Sequence, residues 1–435
     1  MPPRARRARC LARSAALLLC VAVWSVPDAP GDELRLAVIL SRHGVRTPLG
    51  SDEAMAKYVP QPWPKWEVAP GIQTPRGNLL IALMGDYYRA RFAGEGLLSG
   101  NPDTDRPLVF VRADNDQRTV ATGRILGKGL VPGGEPEVHS MPQGADDPLF
   151  EPYRAHIGHP DTALAAASVL GRIGGDTRAI ERAYAPQLSE LKAIVFGPGA
   201  PGAPTAFDGP SGIVEGGPRF SVSMTGSLRA GWLCSEELLL EYLDGRPMPE
   251  VGWGRADGRS VEDLLALQAL GFDLLDRTRY PAQVGGSNLA SHIVDTLEQA
   301  ALGQPVPGAL GPPGERLVVL VGHDSNIANI GGLLGLNWWI PGGPANPVLP
   351  GGALVFELWE RSGQPNALYV RTSYVCQTIE QMREATPLST GNPPALSPIF
   401  VPGASGTGPD YDAPLDSFVR QARRAIDPSF VAEEP

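Results

Sequence analysis

Three short apolar runs, each ending abruptly in charge, set the pattern of this chain. Leu36–Leu40 (LAVIL), Leu108–Val111 (LVFV) and Leu317–Val321 (LVVLV) contain no polar residue. Such runs, rich in β-branched residues and bounded by polar segments, predict strands covered on both faces, as in a parallel sheet. The first stops at Ser41-Arg42-His43-Gly44-Val45-Arg46, and the second at Arg112 followed by ADNDQRT with Arg118. The third stops at Gly322-His323-Asp324. Ligands of open α/β sheets sit in the crevice beyond the carboxyl ends of the strands. If the three strands are neighbours, their histidines and arginines converge on one pocket.

Helical spacing fills much of the remainder. Thr74 and Pro75 open a helix expected to run to Arg91, with Leu79, Leu80, Leu83, Met84, Tyr87 and Tyr88 on its apolar side. A second helix is predicted from near Thr119 to Leu130. That puts Arg118 at a strand-to-helix junction, where backbone N–H groups face anions. Between the first motif and the first of these helices, Tyr58–Gly71 is a Pro- and Trp-rich loop. Residues 161–196, 223–245 and 261–276 are rich in Ala, Leu and Glu at helical spacing, and the Gly/Pro stretch 197–218 reads as a long loop. Leu354–Leu358 and Leu368–Val370 suggest an antiparallel pair near the sheet edge, and Phe418–Ile426 a closing helix. The expected fold is α/β: a mixed, mainly parallel sheet flanked by helices, from residues 30–152 and 305–435. A second, mostly helical domain is inserted at 153–304.

Charge and composition narrow the setting. An arginine-rich segment precedes the apolar stretch Ala15–Trp24, which is too short to span a bilayer; residues 1–25 read as a signal peptide cleaved near Ser25. Arg4, Arg6, Arg7, Arg9 and Arg13 leave with it, taking the formal net charge from −10 to −15. So acidic a protein is unsuited to nucleic acid, and any phosphate site must be a local basic pocket. No later segment looks transmembrane. The expectation is therefore a periplasmic or secreted protein without stable membrane association, taken as a monomer; the basic residues at the three strand ends make a small phosphate monoester its expected partner. Cys10 and Cys20 lie in the leader; Cys234 and Cys376, each in an apolar stretch, read as free buried thiols. No cysteine spacing suggests a metal, and no cofactor is called for.

Two histidines, three arginines and an aspartate suit phosphoryl transfer. Guanidinium forks neutralise phosphate oxygens. A neutral imidazole can attack phosphorus to give a phosphohistidine, and a carboxylic acid can protonate the departing oxygen. Asp324 is placed for that second role. Spacing alone leaves either His43 or His323 as the nucleophile.

RHGVRTP at 42–48, NDQRTVATG around Arg118, and His323-Asp324 together resemble the histidine acid phosphatase family, the larger branch of the histidine phosphatase superfamily. The likeness spans Leu34 to Leu388. It includes QTPRG at 73–77, DPLFEP at 147–152, GWG at 252–254 and QTIEQMREATPL at 377–388, and is nearest to bacterial phytases and glucose-1-phosphatases. The resemblance implies His43 as nucleophile, Asp324 as proton donor, Arg42, Arg46, Arg118 and His323 as phosphate ligands, and no metal. It also matches Glu236 to a pocket-lining glutamate of the phytases; an exposed helix residue is the competing reading. Gly50 stands where phytases of the group commonly carry a lysine, the gating glutamate of glucose-1-phosphatases has no evident counterpart, and several disulfides of the enteric enzymes are missing. A phosphotransferase or mutase, or a phosphate-ester binder without catalysis, are the alternatives.

Other histidines read as structural. His156 and His159 lack a third metal ligand, and Pro160 interrupts their helical spacing. His139 is expected to pack or cap, and His292 to lie in a helix. Trp338 and Trp339 are either cleft-lining or core.

Overall fold

The computed structural model describes residues 31–50, 56–198, 207–217 and 220–432. Residues 1–25, read above as a signal peptide, lie outside them. Strand β1 (Glu33–Arg42) is followed by helix α1 (Pro75–Gly94), β2 (Val109–Ala113), α2 (Gln117–Leu130) and the short β3 (Val138–His139). A helical stretch follows: α3 (Thr162–Arg172), α4 (Thr177–Ala183), α5 (Ala185–Phe196), a hairpin β4 (Gly212–Glu215) and β5 (Val222–Thr225), then α6 (Gly226–Leu243), α7 (Gly258–Leu275) and α8 (Arg279–Leu302). The chain returns to the sheet through β6 (Leu317–Gly322), α9 (Asp324–Leu334), β7 (Ala353–Glu360) and β8 (Leu368–Cys376). It finishes with α10 (Ile379–Glu384), β9 (Ala395–Pro398), β10 (Ala413–Pro414) and α11 (Leu415–Ala425).

Eight strands form one mixed sheet in the order β10-β8-β7-β1-β6-β2-β3, with β9 also on β8. The β1–β6, β6–β2 and β2–β3 pairs are parallel; β1–β7, β7–β8 and the contacts of β8 with β9 and β10 are antiparallel. The expected α/β architecture with flanking helices is therefore present. The three apolar runs are adjacent parallel strands, and register aligns Arg42 with Gly322 and Ala113 with Val321. All three carboxyl ends consequently open on the same side. Helices α1 and α2 cover one face with Ile39, Val111, Val319 and Val355, while Val38, Leu40, Leu320 and Phe356 meet α8 and α9 on the other. Burial on both faces is why these strands carry no alternation.

The helical stretch has its own apolar cluster, including Leu188, Leu191, Leu228, Leu238, Leu264 and Leu267. Leu239, Leu240, Leu265 and Phe272 of the same helices join the sheet's core instead. From Asp32 onward the chain forms one compact unit.

Several local expectations need correction. Leu108 belongs to a turn of 3-10 helix, so β2 begins one residue later, and α2 begins at Gln117 rather than near Thr119. Leu79 is exposed, leaving Leu80, Met84, Tyr87 and Tyr88 as the buried face of α1. Strands β7 and β8 do pair antiparallel near one edge of the sheet, with β7 beside β1. The Gly/Pro stretch conceals β4, where Gly and Pro masked the alternation. Trp338 is fully buried, whereas Trp339 is 61% exposed. His139 stacks on Phe110, and buried His292 shares a hydrogen bond between Nδ1 and the Gly308 carbonyl. Cys234 and Cys376 are both free and buried.

One glycine ties α1 to the first motif. Thr74 caps α1 by accepting from the Gly77 N–H, and its own N–H donates to the Val45 carbonyl. A Cβ at Gly77 would lie far inside van der Waals contact with that carbonyl oxygen. Gly77→Ala is expected to lower stability by about 3 kcal/mol through overpacking against backbone. Urea denaturation checks this by a reduced midpoint at unchanged slope.

Candidate active site

The site begins where β1 ends. The Arg42 N–H donates to the Gly352 carbonyl (2.9 Å) and the His43 N–H to the Gly322 carbonyl (3.1 Å), fastening the motif to the two flanking segments. The Gly44 N–H donates to Gln73 Oε1 (3.1 Å) and Thr122 Oγ1 (3.0 Å), which are themselves 2.7 Å apart. The His43 loop is thus held by the sheet beneath, by α2 and by the segment leading into α1. Gln73 and Thr122 lie within the motifs QTPRG and QRTVATG, although their contacts were not legible.

His43 is buried, and its Nδ1 lies 2.8 Å from the Gly44 carbonyl. A carbonyl only accepts, so Nδ1 carries the hydrogen and Nε2 keeps its lone pair. Burial, reinforced by Arg118, Arg42, Arg46 and His323, holds His43 well below the ordinary imidazole range. It is therefore neutral, with a free nitrogen. The His323 ring stands beside it, centroids 5.6 Å apart and nearly perpendicular.

Arg42 is completely buried; Nη1 donates to the Val348 carbonyl (2.5 Å) and Nη2 to Glu236 Oε1 (2.7 Å), with Asp324 Oδ2 at 3.0 Å. Arg46 Nη2 reaches the same Glu236 oxygen at 3.4 Å. Glu236 is thus part of the site and not an exposed helix residue; Gln268 of α7 donates to its other oxygen. The Nε groups of Arg42, Arg46 and Arg118 are all buried without a protein partner. Burial costs such donors heavily unless an acceptor is supplied, as a bound anion would do.

Asp324 opens α9. Burial pushes its carboxyl up, but Arg42, Arg46 and His323, with the Ser325 N–H, outweigh that and hold it below the usual carboxylate range. Without substrate it is a carboxylate. Arg118 reaches in from α2, its Nη2 lying 2.5 Å from Asp116 Oδ2 and 3.4 Å from His323 Nδ1.

One buried residue was missed in the sequence. Asp114, one residue past β2, lies with Oδ2 2.6 Å from His323 Nε2. The only available signal was its position, which relates to β2 as His43 and His323 relate to β1 and β6. Asp114, Asp116 and His323 are also the group with metal-type donors among the described residues. Those donors are engaged in the Asp114–His323 hydrogen bond and the Asp116–Arg118 ion pair. The remaining shared motifs serve as supports: Asp147 of DPLFEP accepts from Arg112 Nη2 (2.7 Å), and Asn326 Nδ2 donates to the Phe150 carbonyl (2.7 Å).

All six residues expected at the phosphate site thus meet beyond β1, β2 and β6, with Glu236 among them. Residues 33–172 and 230–375 match the histidine phosphatase superfamily (branch 2). The chain belongs to this family. Phytase AppA of Escherichia coli is 34% identical over 84% of this chain and 85% of its own length. The glucose-1-phosphatase of Salmonella typhimurium is 26% identical over 94% of this chain and 96% of its own. Among solved structures, Hafnia alvei phytase in complex with tartrate superposes with a TM-score of 0.84 at 33% identity, covering 93% of this chain and 99% of that one. The same phytase has been solved with myo-inositol hexakis sulphate, TM-score 0.82. This protein is a histidine-type acid phosphatase, a hydrolase of phosphate monoesters. Among its described residues, no helix is long and apolar enough to cross a membrane.

Proposed function

We propose that the phosphatase is exported and cleaves phytate, sugar phosphates such as glucose-1-phosphate, or both through a phosphohistidine on His43. The observation that carries this is the neutral His43 ring, hydrogen-bonded at Nδ1 and free at Nε2, beside three arginines with unpartnered Nε groups. Arg42, Arg46, Arg118 and His323 would hold the phosphate. The Nε2 lone pair attacks phosphorus in line with the ester oxygen; the P–O bond breaks, and Asp324 gives the departing oxygen its proton. Water then attacks the phosphohistidine, Asp324 takes its proton, and orthophosphate leaves with Nε2 restored. The phosphate dianion, arriving between the arginines and Asp324, reverses the balance that keeps Asp324 ionised in the free enzyme.

Phytate is favoured as one substrate by the likeness to the phytases, and a smaller role for it by Gly50, where phytases of the group commonly carry a lysine. The test is orthophosphate release at about pH 5 from phytate and from glucose-1-phosphate, with EDTA present. Cleavage of either ester in EDTA is expected, and the better one names the preferred class. No release from both would remove the proposal. Phosphate appearing on an added alcohol in preference to water would mark a transferase instead.

A further inference from the structure

We propose that Asp114 is a positioning residue for phosphate binding: it fixes His323 in one tautomer and supplies the counter-charge when a phosphate oxygen meets His323 Nδ1. Asp114 is 1% exposed, and its N–H donates to the Val321 carbonyl (2.9 Å), locking the turn after β2 against the end of β6. The carboxylate therefore cannot drift from His323, whose Nε2 lies 2.6 Å from Oδ2. On the other side of the ring, Arg118 Nη2 stands 3.4 Å from Nδ1. A guanidinium only donates and a carboxylate only accepts. A neutral ring between them carries its hydrogen on Nε2 and its lone pair on Nδ1, the opposite of His43.

That arrangement has a consequence for anions. Asp114 occupies Nε2, so Nδ1 is the nitrogen left to contact a phosphate oxygen, and in the neutral tautomer that nitrogen is an acceptor. Two acceptors cannot share that contact, so the ring that holds a phosphate oxygen carries hydrogen on both nitrogens. The imidazolium so formed donates to phosphate on one side and to Asp114 on the other. The titratable and charged groups facing His323 are Asp114 and Asp116 beyond β2, Arg118 on α2, the neutral His43 beyond β1, Glu151 and the adjacent Asp324. Arg118 and Asp116 largely offset each other in their ion pair, leaving Asp114 as the buried anion in direct contact.

Asp114 acts in this way only if His323 is a phosphate ligand, as proposed above, so the experiment separates the two. Sulfate keeps its double charge throughout the histidine range, between about pH 5 and 8, and serves as the probe. Its binding is measured by calorimetry in wild type, Asp114→Asn and His323→Ala. Asparagine keeps an acceptor for Nε2–H but removes the charge. Wild-type affinity should fall as pH rises, and Asp114→Asn should lose affinity at a pH lower by about one unit or more. His323→Ala should bind at least tenfold more weakly and lose that pH-dependent component. Superimposable wild-type and Asp114→Asn curves would overturn the role of Asp114. Wild-type-like sulfate binding by His323→Ala would overturn His323 as a ligand instead. Long-range proton–nitrogen spectra of wild type, assigned with His323→Ala, give a second measure independent of how Asp114→Asn folds. At a pH where the ring of the free enzyme is neutral, its hydrogen is expected on Nε2, and a neutral ring with its hydrogen on Nδ1 would defeat the proposal.

Discussion

His43→Ala should lower phosphate release by about 10⁴-fold or more, equivalent to at least about 5 kcal/mol of lost transition-state stabilisation. The size follows from the geometry. No other neutral nitrogen is placed as His43 Nε2 is, since the His323 ring is turned through 71° and engaged by Asp114 and Arg118. The arginines remain, so the variant should still bind substrate and orthophosphate. Rapid quenching with labelled substrate gives the decisive readout. Wild type should yield an acid-labile, base-stable phosphoprotein, and His43→Ala none. A labelled protein persisting in His43→Ala would move the nucleophile to His323. Removing the buried ring also leaves a cavity, so retention of the melting temperature within a few degrees is the control that assigns the loss to chemistry.

Asp324→Asn should cost about 10²- to 10³-fold in kcat for sugar or inositol phosphates, because their alkoxides leave poorly without a proton. The loss should shrink sharply for a nitrophenyl ester, whose leaving group departs without protonation. A merely structural role for Asp324 would reduce both alike. The pH profile carries the sign. In the free enzyme, Arg42 and Arg46 favour the carboxylate, and bound phosphate favours the acid. The donor form therefore belongs to the complex and is lost as pH rises, so wild-type kcat should fall on the alkaline side. Asp324→Asn should flatten that limb. Asp324 also pairs with buried Arg42, so its removal leaves Glu236 as the remaining carboxylate in contact with that guanidinium.

Strands β1, β2 and β6 were legible because burial on both faces leaves a sequence of unbroken apolar residues. Their adjacency was not in the sequence, yet parallel pairing makes any shared strand-end chemistry converge. His43, Arg42, Arg46, Arg118, His323 and Asp324 were found for that reason. Asp114 escaped because three polar residues, Asp114, Asn115 and Asp116, follow β2 alike; only the Val321 hydrogen bond selects the first for burial. Glu236 was ambiguous because its neighbour Glu237 is also buried, and helix period cannot say which of two adjacent acids turns toward Arg42. The β4–β5 hairpin was hidden by flanking Gly and Pro, whose turns dominate the local pattern.

The two free thiols bear on how this enzyme can be made. Cys234 lies in the helical cluster and Cys376 in the sheet core, each sealed from solvent, and burial pushes both thiols upward and away from the reactive thiolate. No oxidative pairing within the described residues stands between the newly made chain and its folded form. Folding of this body therefore needs neither an oxidant nor a disulfide isomerase, and reductants in a storage or assay buffer have no disulfide in it to break.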